Sequence, residues 1–266
     1  MSEPVILTDT DDRGVATVTL NRPDKFNTWN PALLTALVDG LQALAGDDAV
    51  RLLVLRGAGK HFSAGADVNW FRELAEAAPD VQKEGAALSL AAMRGLYEFP
   101  KPTIALIHNA CFGGGTGYAA GCDVVIASED AKFAITEVRV GITPAPILPQ
   151  LIAALGVRQA RRYAVSGETF DVHRAKEIGL VHEICPVGGL DEAAAPVIDG
   201  YLRSGPVAVG RTKRLIGEIS GASISDAMAE QMAEISASGR STAEGIEGFR
   251  AFLDKRAAAW YPDRDE

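Results

Sequence analysis

The sequence has little cysteine, no surplus of positive charge and no long apolar run. Its three cysteines, Cys111, Cys122 and Cys185, are odd in number and form no C-x-x-C pair, which predicts reduced thiols rather than a disulfide framework. The four histidines show neither H-x-x-x-H nor H-x-H spacing, and we therefore expect no metal site. No apolar stretch approaches the ~18 residues that a membrane-spanning helix needs.

The charge balance is acidic, with 26 lysines and arginines against 35 aspartates and glutamates and a formal net charge of −9. Such a charge argues against binding to nucleic acid or to an anionic membrane through bulk electrostatics. The N-terminal segment carries acidic residues and no apolar core between basic flanks, so we expect no signal peptide. With 47% hydrophobic and 23% charged residues, the composition is typical of globular proteins, and we expect a soluble, cytoplasmic protein.

Strand-like and helix-like segments alternate through about residue 185, which predicts parallel β/α units. Beyond residue 190 only helical patterns follow, so we divide the chain into an α/β core at 1–189 and a helical C-terminal region at 190–266. The predicted strands are 5–8, 15–20, 51–56, 104–107, 124–127 and 132–135, and the predicted helices are 31–44, 68–97 with a break near Pro79, 191–203, 206–219, 223–237 and 242–258.

Two glycine-containing loops and one glutamate have the outline of an active site. The loops, HFSAGAD at 61–67 and CFGGGTG at 111–117, each follow a strand-like run and precede a helix-like segment. Small residues at such junctions let a ligand approach the backbone and leave peptide N–H groups unpaired. Two such groups that converge would stabilise a developing oxyanion. Glu137, twenty residues after Gly117, is the carboxylate that we single out to move a proton, although its spacing alone also fits a surface glutamate.

Two other interpretations of these loops are weaker. Residues 115–121 loosely match the glycine pattern of dinucleotide-binding folds, but they lie far from the first strand and leave only about five residues between Gly117 and the next strand. Ser63 lacks the G-x-S-x-G surroundings of a nucleophile. Asp67, at the end of the first loop, is predicted to cap the N-terminus of a helix.

Six windows, in order along residues 12–257, closely resemble the crotonase (enoyl-CoA hydratase/isomerase) superfamily. They are LNRP at 20–23, FSAGAD at 62–67, PKPTIA at 100–105, GGG at 113–115, AKEIGLV at 175–181 and FLDKR at 252–256. The resemblance implies an α/β fold, the ββα superhelix of the crotonases with a C-terminal helical trimerisation region. It also implies a homotrimer or a dimer of trimers and an acyl-CoA thioester substrate, with no separate cofactor because CoA is part of the substrate.

The same resemblance assigns the site residues. The oxyanion-hole donors fall on the backbone N–H groups of Ala66 and Gly114, and the second catalytic glutamate of the family falls on Glu137. The positions expected to bind acyl-CoA are on the two loops and on two lysines: Lys25, Ala64, Ala66, Asp67, Val68, Asn69, Gly114 and Lys255. Lys255 is expected to hold the adenosine phosphates, from an adjacent chain.

The sequence departs from the two-glutamate hydratases at Gly117, where those enzymes carry their first glutamate. A single carboxylate suits an isomerase that moves a double bond. However, windows 113–117, 137–141 and 144–149 resemble hydratases of branched, carboxylated enoyl-CoAs such as methylglutaconyl-CoA, which also lack the first glutamate. We therefore predict a hydratase that adds water to a 2-enoyl-CoA, with branched or carboxylated acyl chains as candidate substrates. The alternatives are an enoyl-CoA isomerase and a non-catalytic acyl-CoA-binding scaffold.

Overall fold

The computed structural model describes residues 3–222 and 225–262 of the chain. Within these ranges the strands are β1 Ile6–Thr10, β2 Val15–Leu20, β3 Leu52–Gly57, β4 Thr103–Ile107, β5 Ala110–Phe112, β6 Val124–Ser128, β7 Lys132–Ala134, β8 Phe170–Asp171 and β9 Glu183–Cys185. The α-helices are α1 Pro31–Gly46, α2 Val68–Glu76, α3 Pro79–Tyr97, α4 Gly114–Gly121, α5 Leu148–Ser166, α6 Val172–Glu177, α7 Leu190–Arg203, α8 Pro206–Ile219, α9 Asp226–Arg240 and α10 Ala243–Asp254.

A six-stranded sheet in the order β1-β2-β3-β4-β6-β9 forms the centre of the α/β core. β1 and β2 form an antiparallel hairpin, and every later neighbouring pair is parallel, with Val15 opposite Leu52 and Ile104 opposite Val124. This arrangement confirms the predicted parallel β/α units. A smaller sheet, in the order β5-β7-β8, carries two strands that lead directly into the candidate site.

β3 illustrates how the large sheet is covered on both faces. Successive side chains of a strand point to opposite faces. Leu53 and Leu55 therefore enter one hydrophobic core together with Leu37 of α1, whereas Leu52 enters a second core with Leu190 of α7. A strand buried on both faces needs apolar residues at consecutive positions, which explains why β3 has an unbroken apolar run.

The start of α1 follows ordinary capping chemistry. α1 begins at Pro31, and the side chain of Asn30 accepts a hydrogen bond from the N–H of Leu33 at 3.0 Å. The predicted break near Pro79 is confirmed, because α2 ends at Glu76 and α3 begins at Pro79 itself. Of the helices in the described ranges, none is both long and apolar enough to cross a membrane.

Two of the C-terminal helices have bounds that differ from the sequence prediction. The predicted helix 223–237 begins at residues outside the described ranges, and α9 begins at Asp226. The predicted helix 242–258 is too long, because α10 ends at Asp254. Lys255 there adopts a left-handed φ of 54°, and the N–H of Arg256 donates to the carbonyl of Ala251 at 3.1 Å. This Schellman-type ending has no glycine to signal it in the sequence.

Candidate active site

The first glycine-containing loop is fixed by hydrogen bonds at Ser63. Its N–H donates to the carbonyl of Ala110 at 3.0 Å, and Ser63 forms a parallel bridge with Cys111 of β5. Its hydroxyl is fully buried, donates to the carbonyl of Asn27 at 3.0 Å and accepts the N–H of Gly65 at 3.3 Å. Ser63 therefore holds the loop in place, in agreement with the sequence argument against a nucleophile.

Ala66 lies where this loop pairs with the segment that precedes α1. The N–H of Trp29 donates to the carbonyl of Gly65, and the N–H of Asp67 donates to the carbonyl of Trp29, each at 2.9 Å. Ala66 lies between these two bonds, in a short parallel bridge. Within the described part of the chain, its N–H makes no hydrogen bond to a protein oxygen. The first predicted oxyanion donor is thus free to bind a ligand.

The second loop ends at the N-terminus of α4. Gly113 donates its N–H to the carbonyl of Ala134 at 2.8 Å, and α4 begins at Gly114. In residues 3–222 and 225–262, the N–H of Gly114 has no protein acceptor, and a helix N-terminus carries partial positive charge. The indole of Trp29 packs so closely on Gly114 that an added Cβ would lie 2.8 Å from Nε1. Trp29 therefore contacts both glycine-containing loops, and only glycine fits beneath it at position 114.

Glu137 begins a single 3-10 turn, Glu137–Val140, shortly after β7. Its Oε1 is 2.9 Å from the point where a Cβ on Gly113 would lie, so the carboxylate is next to the N-terminus of α4. Its Oε2 is buried and has no hydrogen-bond partner among the described residues. Burial raises the pKa of Glu137 above its ordinary value, although backbone hydrogen bonds at Glu137 and Thr136 oppose the shift. Glu137 is half-buried, and the surface-glutamate interpretation is wrong.

Position 117 has no room for a side chain. An added Cβ on Gly117 would overlap the methyl Cγ2 of Ile147, would lie 2.8 Å from its Cβ and would be 3.1 Å from the sulfur of Met93. Both neighbouring side chains are fully buried. The space that a carboxylate at residue 117 would need is therefore occupied by apolar atoms, and Glu137 is the carboxylate that the fold brings to the start of α4.

Asp67 has a structural role at the end of the first loop. It caps α2 by accepting the N–H of Asn69 at 3.0 Å, as the sequence predicted, and it forms an ion pair with Arg22 at 3.0 Å. Burial alone would raise the pKa of Asp67, but the hydrogen bonds from Arg22 and from the N–H of Asn69 outweigh it, and the pKa is lowered. The ionised carboxylate thus ties the loop to the segment before α1.

The remaining predicted acyl-CoA-binding residues fall into two groups. Ala64 donates its N–H to the carbonyl of Phe26 at 2.9 Å, which brings the exposed Lys25 to the edge of the first loop. Val68 follows on the same loop with 81% of its surface exposed. Lys255, in contrast, lies at the end of α10 among the C-terminal helices. The structure thus groups Lys25 with the loop, whereas the predicted contact of Lys255 with ligand from an adjacent chain stays a prediction.

Asn27 joins the segment before α1 to the residues that lead into the first loop, and sequence reasoning did not single it out. It is fully buried. Its amide donates to the carbonyls of Ala58 and His61, both at 2.8 Å, and its Oδ1 accepts the N–H of Arg22 at 2.8 Å. The first two partners are 31 and 34 residues away, a separation that no local pattern reports. The left-handed φ of 52° at Asn27 is one that asparagine tolerates better than most residues.

Two unpaired N–H groups and one half-buried carboxylate can hold an oxyanion and transfer a proton. The enoyl-CoA hydratase/isomerase family model matches residues 10–263. A putative enoyl-CoA hydratase of Thermus thermophilus is 32% identical over 91% of this chain and 95% of its own. The 2,3-dehydroadipyl-CoA hydratase of Escherichia coli is 32% identical over 91% and 93%. The crystal structure of an enoyl-CoA hydratase from Shewanella pealeana superposes with a TM-score of 0.92 at 35% identity, over 96% of each chain. The resemblance read from the sequence windows is thereby confirmed, and the chain belongs to the enoyl-CoA hydratase/isomerase family of the crotonase superfamily.

Proposed function

We propose that this protein is a hydratase that adds water to the double bond of a 2-enoyl-CoA thioester. The observation that carries the proposal is the position of the Glu137 carboxylate, 2.9 Å from the Cβ position of Gly113 and thus beside the free N–H of Gly114. A proton-transferring group beside an oxyanion donor is what addition of water to an α,β-unsaturated thioester requires.

In the proposed reaction the N–H groups of Ala66 and Gly114 donate to the thioester oxygen. Glu137 accepts a proton from water as the water oxygen bonds to Cβ, and the electron pair of the double bond moves through Cα onto the thioester oxygen as an enolate. Glu137 then gives the proton to Cα, which regenerates its carboxylate. Removal of one oxyanion donor typically costs about 2.7–4 kcal/mol of transition-state stabilisation.

The environment of Glu137 suits both proton transfers. Burial disfavours its ionised form and raises its pKa, which makes the carboxylate a stronger base towards water than an exposed glutamate would be. The same carboxyl, once protonated, lies next to the helix N-terminus where the enolate is held. A single group can therefore remove one proton and return it, without a second carboxylate at Gly117.

We also propose how the rest of the substrate is held. The CoA portion runs along residues 64–69 with Lys25 beside it, and Lys255 reaches the adenosine phosphates from a neighbouring copy of the chain. The acyl group enters between the two oxyanion loops. Branched or carboxylated acyl groups are the first candidates, because windows 113–117, 137–141 and 144–149 resemble hydratases of such substrates.

An isomerase is the second candidate, and the observation that favours it is the apolar filling around Gly117. With Glu137 alone, a proton could be removed at Cα of a 3-enoyl-CoA and returned at Cγ. A non-catalytic scaffold has less support, because it would have no use for a half-buried carboxylate with a raised pKa beside two unpaired N–H groups.

A panel of 2-enoyl- and 3-enoyl-CoAs separates these functions. The hydratase proposal expects at least one 2-enoyl-CoA to gain the mass of one water in mass spectrometry. An isomerase would instead leave the mass unchanged and convert a 3-enoyl-CoA into its 2-enoyl isomer, which NMR detects. Binding of acyl-CoA in calorimetry without either conversion would point to the scaffold and would reject the hydratase.

A further inference from the structure

Buried polar atoms without a hydrogen-bond partner gather around α4. Among the described residues five buried side-chain nitrogen or oxygen atoms have no partner, and one of them, Arg13 Nε, lies in the turn after β1. The other four belong to α4 or to segments that contact it: Trp29 Nε1, Tyr118 OH, Glu137 Oε2 and Gln150 Oε1. The proposed chemistry accounts for Glu137, but it leaves three atoms unexplained: the acceptor Gln150 Oε1 and the two neutral donors, on Trp29 and Tyr118.

These two donors lie close to an oxyanion donor. Trp29 is 3% exposed, and its Nε1 is 2.8 Å from the Cβ position of Gly114. Tyr118 is fully buried and follows Gly114 by four residues, so Gly114 and Tyr118 lie on one face of α4. The two aromatic rings meet edge to face, with centroids 6.3 Å apart. The indole and the phenol therefore form one buried cluster against the face of α4 that Gly114 and Tyr118 share.

Leaving both donors unpaired is unfavourable. An unsatisfied buried donor typically costs about 1–3 kcal/mol, and a phenylalanine at either position would avoid that cost. Burial also raises the pKa of the Tyr118 phenol, which keeps it protonated and able to donate. No described protein group accepts a hydrogen bond from either atom, and a substrate oxygen would reach these buried atoms once a neighbouring side chain moves. Met93, whose sulfur borders the same helix at Gly117, is an unbranched side chain that can move aside for it.

We propose that Trp29 and Tyr118 determine acyl-group specificity by donating hydrogen bonds to an oxygen on the acyl chain of the substrate, either an uncharged oxygen or a carboxylate. The inference rests on the proposed function, since it concerns the acyl group held beside Gly114. A site built from hydrogen-bond donors rejects an analogue that lacks the acceptor, because the donors then stay unpaired. The enzyme should accordingly prefer oxygen-bearing 2-enoyl-CoAs over hydrocarbon ones of the same length.

The test uses three 2-enoyl-CoAs of matched length whose chains end in a hydrocarbon, a methyl ester or a carboxylate. The kcat/KM for water addition is measured by mass spectrometry, and Kd by calorimetry. For the wild type we expect at least one oxygen-bearing substrate to exceed the hydrocarbon by about tenfold or more. In Tyr118→Phe and in Trp29→Phe that ratio should fall towards one. A preference for the ester or for the carboxylate then shows whether the two donors bind an uncharged oxygen or a carboxylate.

A matched control is Tyr163→Phe. Tyr163 is also buried, but its hydroxyl is hydrogen-bonded to Arg174 at 2.6 Å on another part of the fold, so this variant should keep the wild-type ratio. Equal kcat/KM and Kd for all three substrates in the wild type would overturn the inference, as would an unchanged ratio in a folded Tyr118→Phe. If no substrate gains water, the proposed function fails instead, and the Kd ratios still decide whether the two donors read an acyl oxygen.

Discussion

At the scale of single residues, the proposed chemistry depends most on Glu137. The substitution Glu137→Gln keeps the shape of the side chain and removes the group that exchanges a proton. We expect kcat to fall by about 10²–10⁴-fold, the usual contribution of general acid–base catalysis. Acyl-CoA affinity should change little, because in the proposed complex the backbone of the two loops holds the ligand. Steady-state kinetics and calorimetry on an accepted substrate measure the two quantities separately.

The matched control for this substitution is Glu129→Gln. Glu129 is exposed, in the turn between β6 and β7, and its loss of charge should leave kcat and KM at their wild-type values. If a folded Glu137→Gln protein retains wild-type turnover, the carboxylate is not the proton carrier. The catalytic group would then have to be sought elsewhere around the start of α4.

The raised pKa of Glu137 also predicts how stability depends on pH. A carboxyl whose pKa is higher in the folded state than in the unfolded state favours folding while it is protonated. That contribution is lost as the pH rises through the folded-state pKa. Glu137→Gln should therefore have a higher free energy of unfolding than the wild type at neutral pH. The difference should shrink in acid, below the pKa of an unfolded glutamate, and urea unfolding at a series of pH values measures it.

The opposite outcome is also informative. If Glu137→Gln is less stable than the wild type at neutral pH, the ionised carboxylate makes a favourable interaction in the folded chain. The desolvation that we name as the leading cause of the pKa shift would then be outweighed, and Glu137 would be held as a permanent anion rather than as a group ready to take up a proton.

At the scale of the elements, the packing of α4 against Ile147, in the turn before α5, and against Met93 of α3 leaves no room for a first glutamate at Gly117. The substitution Gly117→Ala inserts a methyl group where Ile147 already lies, and overpacking of this kind typically costs about 1–3 kcal/mol. In an Ile147→Ala background the overlap with Cγ2 is gone and only the 2.8 Å approach to the Cβ of residue 147 remains, so the same change should cost less. A double-mutant cycle from denaturant unfolding measures the coupling between the two positions.

Gly200 in α7 provides the control for this cycle. Nothing lies within 4 Å of a Cβ added there, so Gly200→Ala should stabilise the protein by about 0.5–1 kcal/mol through helix propensity alone. Additive costs of Gly117→Ala and Ile147→Ala would show that the two positions do not compete for one space. Our account of the single-carboxylate site would then be wrong.

The elements themselves differ in how well the sequence predicts them. β3, β4 and β6 are continuous apolar runs bounded by turns, and they were predictable because both of their faces are buried. β8 and β9 have two and three residues, too few to show any period, and they exist only because neighbouring strands pair with them. α10 was predicted too long, because Lys255 takes the left-handed conformation that a glycine would have signalled.

The site was predictable in its backbone and not in its side-chain contacts. The small residues of the two loops, and their order relative to Glu137, were visible because oxyanion loops need glycine and alanine at fixed places. Trp29 and Asn27 were not visible. Their roles come from contacts across 85 residues to Gly114 and 34 to His61, and such contacts exist only once the sheet has formed.

At the scale of the whole molecule, the C-terminal helices expose an apolar surface. On α10 four apolar side chains recur at helical spacing, and all four are exposed, by 43% at Ile246, 57% at Phe249, 80% at Phe252 and 75% at Leu253. A contiguous exposed apolar face usually marks an interface. We propose that a second copy of the chain covers this face, within a trimer or a dimer of trimers.

The double substitution Phe252→Asp with Leu253→Asp tests the proposed assembly. Burial of a phenylalanine or leucine side chain contributes about 1.5–3 kcal/mol, and rotational symmetry repeats each substitution in every subunit of a ring. We therefore expect light scattering to report three or six times the chain mass for the wild type, and a concentration-dependent shift towards the single chain for the variant. Both side chains are mostly exposed in one chain, so circular dichroism should show unchanged helix content.

Val165→Asp, at an exposed valine near the end of α5, controls for the added charge and should keep the wild-type mass. A wild type that scatters as a single chain from dilute to concentrated samples would reject the assembly, and with it the contact of Lys255 with a ligand on a neighbouring subunit.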